Sequence, residues 1–546
     1  MTLKLLSLLA LLTFYSANIF AAKTLGNVNA PKSGTFLFNV GSSPTTLHAL
    51  SSTDAYSSKV QSYILESLLE RNVDTYDWEP ALATKWKVSK DGTVFTFTLR
   101  ESVKWHDGKP LTIEDVKFSF DAIVHPKNKY KTAHLKSFYE NIKEAKILDK
   151  KTIQFIAKKK YFRNFDVVAG LTIVPKHLYE NPTKKQKKKL NKTLIGTGAY
   201  VLDKYQRNKK LILKRNENWW AAGLKGRKAE GNFSKIRMKF VKDEGKSLQH
   251  LVKGGLDFVS LRPEKFVKNT TGKSWGKEVF KVKVQNKAPV SYSFIGWNLT
   301  NPLFKSKKTR QALYLLVNRK LMIEKFLFNL SLPATGPLFR QSDYANPDVK
   351  AVTYDPTKAL KLLREDGWKD TDGDSVLDKI IDGKKVKFSF TILEPLQDFM
   401  KYLTLFQQSA KEAGIDVKLK FVEWNTFIKL LDERKFEAVR LAWGGGAVDW
   451  DPKQIWHTDS IANGGSNFIG YSNKTVDSLI DKARLTLDRD KRIKVLREVF
   501  KTIAEDAPYV FFFNNKYKFY AHTKRMSREK DTYQYGVGLG YWWITK

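Results

Sequence analysis

The chain has 546 residues, of which 42% are hydrophobic and 13% aromatic. That length predicts several packed units of ordinary domain size, and the composition excludes a chain too polar to bury a core. It carries 96 basic against 56 acidic residues, a formal net charge of +40, and no cysteine. A disulfide framework, a thiolate metal centre and a cysteine nucleophile are therefore excluded. The positive field attracts anions without naming one: it fits a solvated lysine-rich surface, anionic envelope surfaces or acidic peptides. No zinc-finger or ribonucleoprotein motif supports a nucleic-acid partner.

In chain order, Met1 to Lys4 give a basic start, Leu5 to Leu12 a short apolar run, and Ala21-Ala22 precede Lys23. This predicts a secretory signal peptide over residues 1–22. The run is too short for a comfortable membrane span, which takes about 20 apolar residues. With no cysteine to accept a lipid, the expectation is an untethered periplasmic protein. Next, Thr35 to Val40 alternates as a strand and enters the turn-rich loop Gly41 to Thr46, which is either ligand-facing or a plain surface turn. Trp86 to Ser89 and Thr93 to Arg100, joined by Lys90-Asp91-Gly92, predict a hairpin, because Asp-Gly supplies the positive dihedrals of the turn. Thr112 and Asp115 form a capping-box pattern for a helix carrying Val116, Phe120 and Ile123 that stops before Pro126. The run Lys184-Lys185-Gln186-Lys187-Lys188-Lys189 is expected as an exposed helix or loop.

The second half reads differently. A helix is expected over Thr309 to Phe328, and another opens at Asp355-Pro356 and closes at Gly367. Strand Val386 to Leu393, helix Leu396 to Ala413, strand Val417 to Phe421, helix Thr426 to Leu431 and strand Phe436 to Ala442 alternate as in a parallel α/β sheet. Ligands of such sheets sit beyond the carboxyl ends of the strands, which points to the loop after Ala442.

Catalytic signatures are missing: there is no G-x-S-x-G elbow, no H-E-x-x-H helix and no phosphate-binding glycine loop. The eight histidines are scattered, and His106 beside Asp107 reads as turn chemistry. Gly196-Thr197-Gly198 lacks the third glycine and the helix of a dinucleotide fingerprint. Asp370, Asp372, Asp374 and Asp378 have the spacing of a calcium loop, but Ser375 replaces the usual turn glycine and no glutamate follows at the twelfth position. An exposed acidic hairpin is the competing reading. In Trp443-Gly444-Gly445-Gly446-Ala447-Val448-Asp449-Trp450-Asp451-Pro452, glycines permit close backbone approach, tryptophans offer apolar walls and a carboxylate can meet a cationic group. A glycine-rich turn with aromatic anchors explains the same residues, and both readings stay open.

The block PALATKWKVSKDGTVFTFTLRESVKWHDGKPLTIEDVKFSFD, Pro80 to Asp121, resembles the signature of the family 5 extracellular solute-binding proteins, the dipeptide- and oligopeptide-binding group. Further landmarks follow in that family's order: Gly196 to Tyr200, Arg215-Asn216 with Trp219-Trp220, Trp297-Asn298-Leu299, Arg310 to Leu313, Tyr354-Asp355-Pro356, Asp451-Pro452, Gly470-Tyr471 and Ala507-Pro508. The resemblance implies an α/β protein of the type II periplasmic-binding kind, two lobes joined by a hinge plus an extra subdomain. Lobe I would comprise 23–56, 196–284 and 498–546, the extra subdomain 57–195, and lobe II 285–497.

It also implies a non-catalytic carrier with no cofactor and no resident metal. The carrier would be a monomer that holds peptides by their main chains and delivers them to the inner-membrane permease of an ABC importer. By position, Asp449 would meet the peptide amino terminus, with Asp451 as the alternative. Trp443, Gly444, Gly445 and Gly446 would line the site, with Ser43 and Thr45 from lobe I and Trp297 and Asn298 from lobe II. Relatives carrying nickel, haem or oligosaccharides make a non-peptide ligand the nearest alternative, followed by a basic envelope-associated sensor without transport.

Overall fold

The computed structural model describes residues 25–52, 54–125, 136, 138–462 and 466–545; the expected signal peptide lies outside them. Two large mixed sheets organise the chain. The first has seven strands in the spatial order 279–284, 518–523, 258–261, 35–39, 235–239, 210–215, 200–206. The second has six, in the order 331–333, 509–515, 292–297, 438–443, 389–394, 416–421. A smaller antiparallel sheet of 83–88, 94–99, 152–157 and 142–147 forms the subdomain.

Local signals were expressed where they were strong. Ala83–Val88 and Val94–Leu99 pair antiparallel around Gly92, whose φ is +70°. Ile113–Val124 is helical with the reciprocal Thr112 and Asp115 capping box. Asp355 caps the helix Pro356–Glu365 by accepting from the Lys358 amide. The lysine run is the exposed helix Lys184–Leu190, capped by Thr183, with only Leu190 buried.

Elsewhere the structure corrects the reading. The expected helix from Thr309 to Phe328 is two, Lys307–Leu315 and Arg319–Leu327, because the Asn318 side chain accepts from the Leu321 amide and starts a new helix. The expected strand Val386 to Leu393 is also divided. Lys384–Lys387 closes the acidic hairpin against Asp378–Ile381, while Ser389–Glu394 enters the second sheet. That sheet is parallel only among 389–394, 416–421 and 438–443, and 292–297 runs antiparallel to both of its neighbours.

The return to lobe I falls later than residue 498. Helix Arg489–Asp506 buries Leu496, Val499, Phe500 and Ile503 in the second-lobe core, and Tyr509–Asn515 pairs with Tyr292–Trp297. Only at Lys518–Thr523 does the chain rejoin the first sheet. The subdomain likewise begins beyond residue 57, since Val60 and Ile64 pack with Phe36 and Leu47 in the first-lobe core while Leu68 and Leu69 enter the subdomain core.

Candidate ligand cleft

The crossings fix which ends of the two sheets face each other. The chain leaves the first sheet after Val284 and enters the second at Tyr292; it leaves the second after Asn515 and re-enters the first at Lys518. In the first sheet Val284 and Lys518 lie at the same end as Asn39, the carboxyl end of strand 35–39. In the second, Tyr292 is paired with Trp443, so the carboxyl ends of 389–394, 416–421 and 438–443 face the first lobe. Ion pairs span the gap near the crossings: Arg262 with Asp398 at 3.5 Å and Lys401 with Glu264 at 3.7 Å.

That frame sorts the expected site residues. Trp443 ends its strand at the cleft and packs on Phe294 and Phe468 with ring centroids 6.2 and 5.8 Å away. Gly444 and Gly446 are exposed, and Gly446 has φ +66°. Gly445 is held against the crossing segment: a Cβ there would lie 2.6 Å from the carbonyl carbon and oxygen of Pro289. Its glycine is therefore required by the hinge itself.

Trp297 and Asn298 do not reach this end. Antiparallel pairing sets Trp297 opposite Ala438, five residues from the Tyr292 and Trp443 pair, which is roughly 17 Å at strand rise. Trp297 is fully buried, stacked on Phe304 at 5.1 Å. Asn298 donates to the Phe436 carbonyl and accepts from Thr300. Both are framework residues, and their expected ligand role is corrected.

Ser43 and Thr45 hold their own loop. Ser43 Oγ lies 3.1 Å from the Tyr205 hydroxyl and accepts from the Asn208 amide, while Thr45 Oγ1 donates to Asp54 at 2.6 Å.

The two candidate carboxylates are both opposed by arginine. Asp449 Oδ1 accepts from the Tyr344 hydroxyl at 2.5 Å and from Arg489 Nε at 3.4 Å, with Arg492 at 3.6 Å. Asp451 pairs with Arg484 and accepts from the Tyr161 hydroxyl at 2.6 Å. Tyr161 belongs to the subdomain, so Asp451 is a link between bodies. The acidic hairpin is likewise internally satisfied: Asp372 and Asp374 pair with Lys385 and Lys387, Asp370 accepts from the Gly373 and Ser375 amides, and Asp378 holds Thr371.

Sequence reasoning missed an apolar wall. Leu396 follows the first of the three parallel strands, Phe421 ends the second and Trp424 opens the helix after it; they are 53%, 50% and 48% exposed. Applying the carboxyl-end rule to every strand, and not only to the one ending at Trp443, would have found them. Behind this wall the buried Glu394 and Arg440 form an ion pair, with the Arg440 guanidinium over the Phe399 ring at 3.9 Å.

Two sheets joined by paired crossings, with their strand ends turned toward a shared cleft, define a two-lobed solute-binding protein. A family model described as bacterial extracellular solute-binding proteins, family 5 (middle) matches residues 77–466, and the chain belongs to that family. It is 28% identical over 557 residues to the oligopeptide-binding protein AppA of Bacillus subtilis, covering 97% of this chain and 95% of that protein. It is 26% identical to the dipeptide-binding protein of Escherichia coli K12, covering 81% and 82% respectively. The solved structure of Bacillus subtilis AppA in complex with a nonapeptide superposes with a TM-score of 0.76 at 26% identity, covering 95% of this chain and all of that one.

Proposed function

We propose that the protein is the substrate-binding component of an ABC importer. It takes peptides into the cleft between its lobes, outside the cytoplasm and in the periplasm, and passes them unaltered, as a monomer, to a membrane permease. The reading is carried by the near full-length similarity to a protein named for oligopeptide binding. It is supported by a wall suited to peptides: exposed Leu396, Phe421 and Trp424 for apolar side chains, and the Gly444 to Gly446 backbone for main-chain contact. Ligand bridging the two walls favours the closed member of an open and closed equilibrium. Asp449 meets a peptide amino terminus on this reading by sharing a carboxylate with Arg489 and Arg492.

Mass spectrometry of material released on denaturing the purified protein tests the ligand class, followed by calorimetry with short and long peptides. Peptides are expected, and Trp424→Ala should weaken them at least about tenfold. Release of a nickel chelate, haem or oligosaccharide instead, or no heat with any peptide, would overturn the proposal.

A further inference from the structure

The lysine-rich helix and the net charge are not explained by ligand binding. Helix Lys184–Leu190 buries only Leu190 and has no acidic residue in its first turn. Lys184 and Lys188, and Lys185 and Lys189, stand four apart on its surface, a spacing at which like charges repel. The helix forms one wall of a groove of about 770 Å³ lined by Thr45, Thr46, Lys188, Lys189, Asn191, Lys192, Tyr205, Gln206 and Arg207. Among the described residues, no carboxylate lines it.

The groove is built rather than draped. Thr46 Oγ1 donates to Asn191 Oδ1 at 2.7 Å and the Leu47 amide to the Asn191 carbonyl at 3.0 Å, tying the loop to the lysine wall. The Tyr205 hydroxyl donates to the Pro44 carbonyl at 2.8 Å, tying it to the wall that carries Arg207. Strand 200–206 is the edge of the first sheet farthest from the crossings, so this charge lies away from the hinge.

We propose that this basic groove docks the protein on the anionic phospholipid headgroups of a membrane surface. A helix of this length presents its cations over about 10 Å, and Arg207 lines the opposite wall. Cations distributed along two walls, Lys188, Lys189 and Lys192 on one and Arg207 on the other, suit an array of headgroups. Clusters of four to eight lysines and arginines are the composition that binds anionic lipid, and the attraction fades with salt. The groove opens at the same strand end as Asn39, with Thr45 in its lining, but at the edge of the sheet opposite the crossings.

Sedimentation with vesicles of phosphatidylglycerol and phosphatidylethanolamine, against phosphatidylcholine alone, tests the proposal. Binding is expected only to the anionic vesicles at low salt. The triple variant Lys188→Glu, Lys189→Glu, Arg207→Glu should lose it at least about tenfold, while retaining its melting temperature and cleft ligand. A control with Lys253, Lys273 and Lys277 changed to Glu, equal in charge but elsewhere on the surface, should retain most of the binding. No binding to anionic vesicles, equal loss in both triple variants, or capture of soluble polyphosphate without vesicle binding would each overturn it.

Discussion

The Tyr161 hydroxyl donates to the Asp451 carboxylate at 2.6 Å, and this bond joins the subdomain to the second lobe. It is reinforced on both sides: the Phe162 amide donates to the Arg484 carbonyl at 3.0 Å, and the Arg484 and Arg492 guanidiniums lie 4.2 Å from the Tyr161 and Phe162 rings. A hydrogen bond to a charged acceptor contributes about 1.5–3 kcal/mol. Tyr161→Phe removes the bond and keeps the ring, so the closed arrangement should lose about that much relative to the open one. Small-angle scattering of the ligand-bound variant should show a larger radius of gyration, and ligand should dissociate faster. Unchanged compaction and off-rate would mean that the bond does not hold the lobes.

Asp449 serves the second lobe before it serves any ligand. Asp449→Asn keeps its shape but removes the charge facing Arg489 and the nearly buried Arg492. Loss of a charge-assisted interaction predicts about 1–3 kcal/mol of destabilisation in urea. Calorimetry of this variant with free and amino-acetylated peptides separates the two roles. If Asp449 meets the amino terminus, the free peptide loses affinity and the acetylated one does not; equal change in both would leave Asp449 purely structural.

Gly445 gives the hinge a testable contact. A methyl group at this position would lie 2.6 Å from the Pro289 carbonyl, so Gly445→Ala must displace either the loop or the crossing segment. Overpacking of this kind costs about 1–3 kcal/mol. The same substitution at Gly444, where a Cβ meets nothing within 4 Å, should be close to neutral in thermal melts. Equal melting temperatures for the two variants would show that the crossing segment yields freely.

These contrasts show what the sequence could reveal. The Asp91-Gly92 turn, the Thr112 capping box and the Asp355-Pro356 helix start were legible because each is decided within a few residues. Trp297 and Asn298 were misplaced because adjacency to the cleft depends on strand direction, and the antiparallel register against Ala438–Trp443 is set by residues far apart in the chain. The late return to the first lobe was hidden for a similar reason: Tyr509–Asn515 and Lys518–Thr523 both read as strands, and only their partners assign them to different sheets. Trp424 was visible as a helix residue, but its exposure depends on which strand ends face the first lobe.

The joint between the first lobe and the subdomain should be acid-sensitive. His48 sits there, only 5% exposed, between Leu47 of the first-lobe core and Leu50 of the subdomain core, with its ring edge-on to Tyr179 at 5.1 Å. Burial disfavours the imidazolium and pushes its pKa from 6.5 down to about 4. Burial also lowers the pKa values of His106, which meets the Gly198 carbonyl, and of His522. Because the folded protein holds these rings neutral, their contribution to stability is fully present above the unfolded value and is lost as pH falls toward the folded one. For His48 the window runs from about 6.5 to about 4 and spans about 3 kcal/mol. His48→Gln carries no charge at either end of that window, so its melting temperature should fall less steeply with acid than that of the unaltered protein. Parallel curves for the two proteins would show that protonation of His48 does not drive the loss.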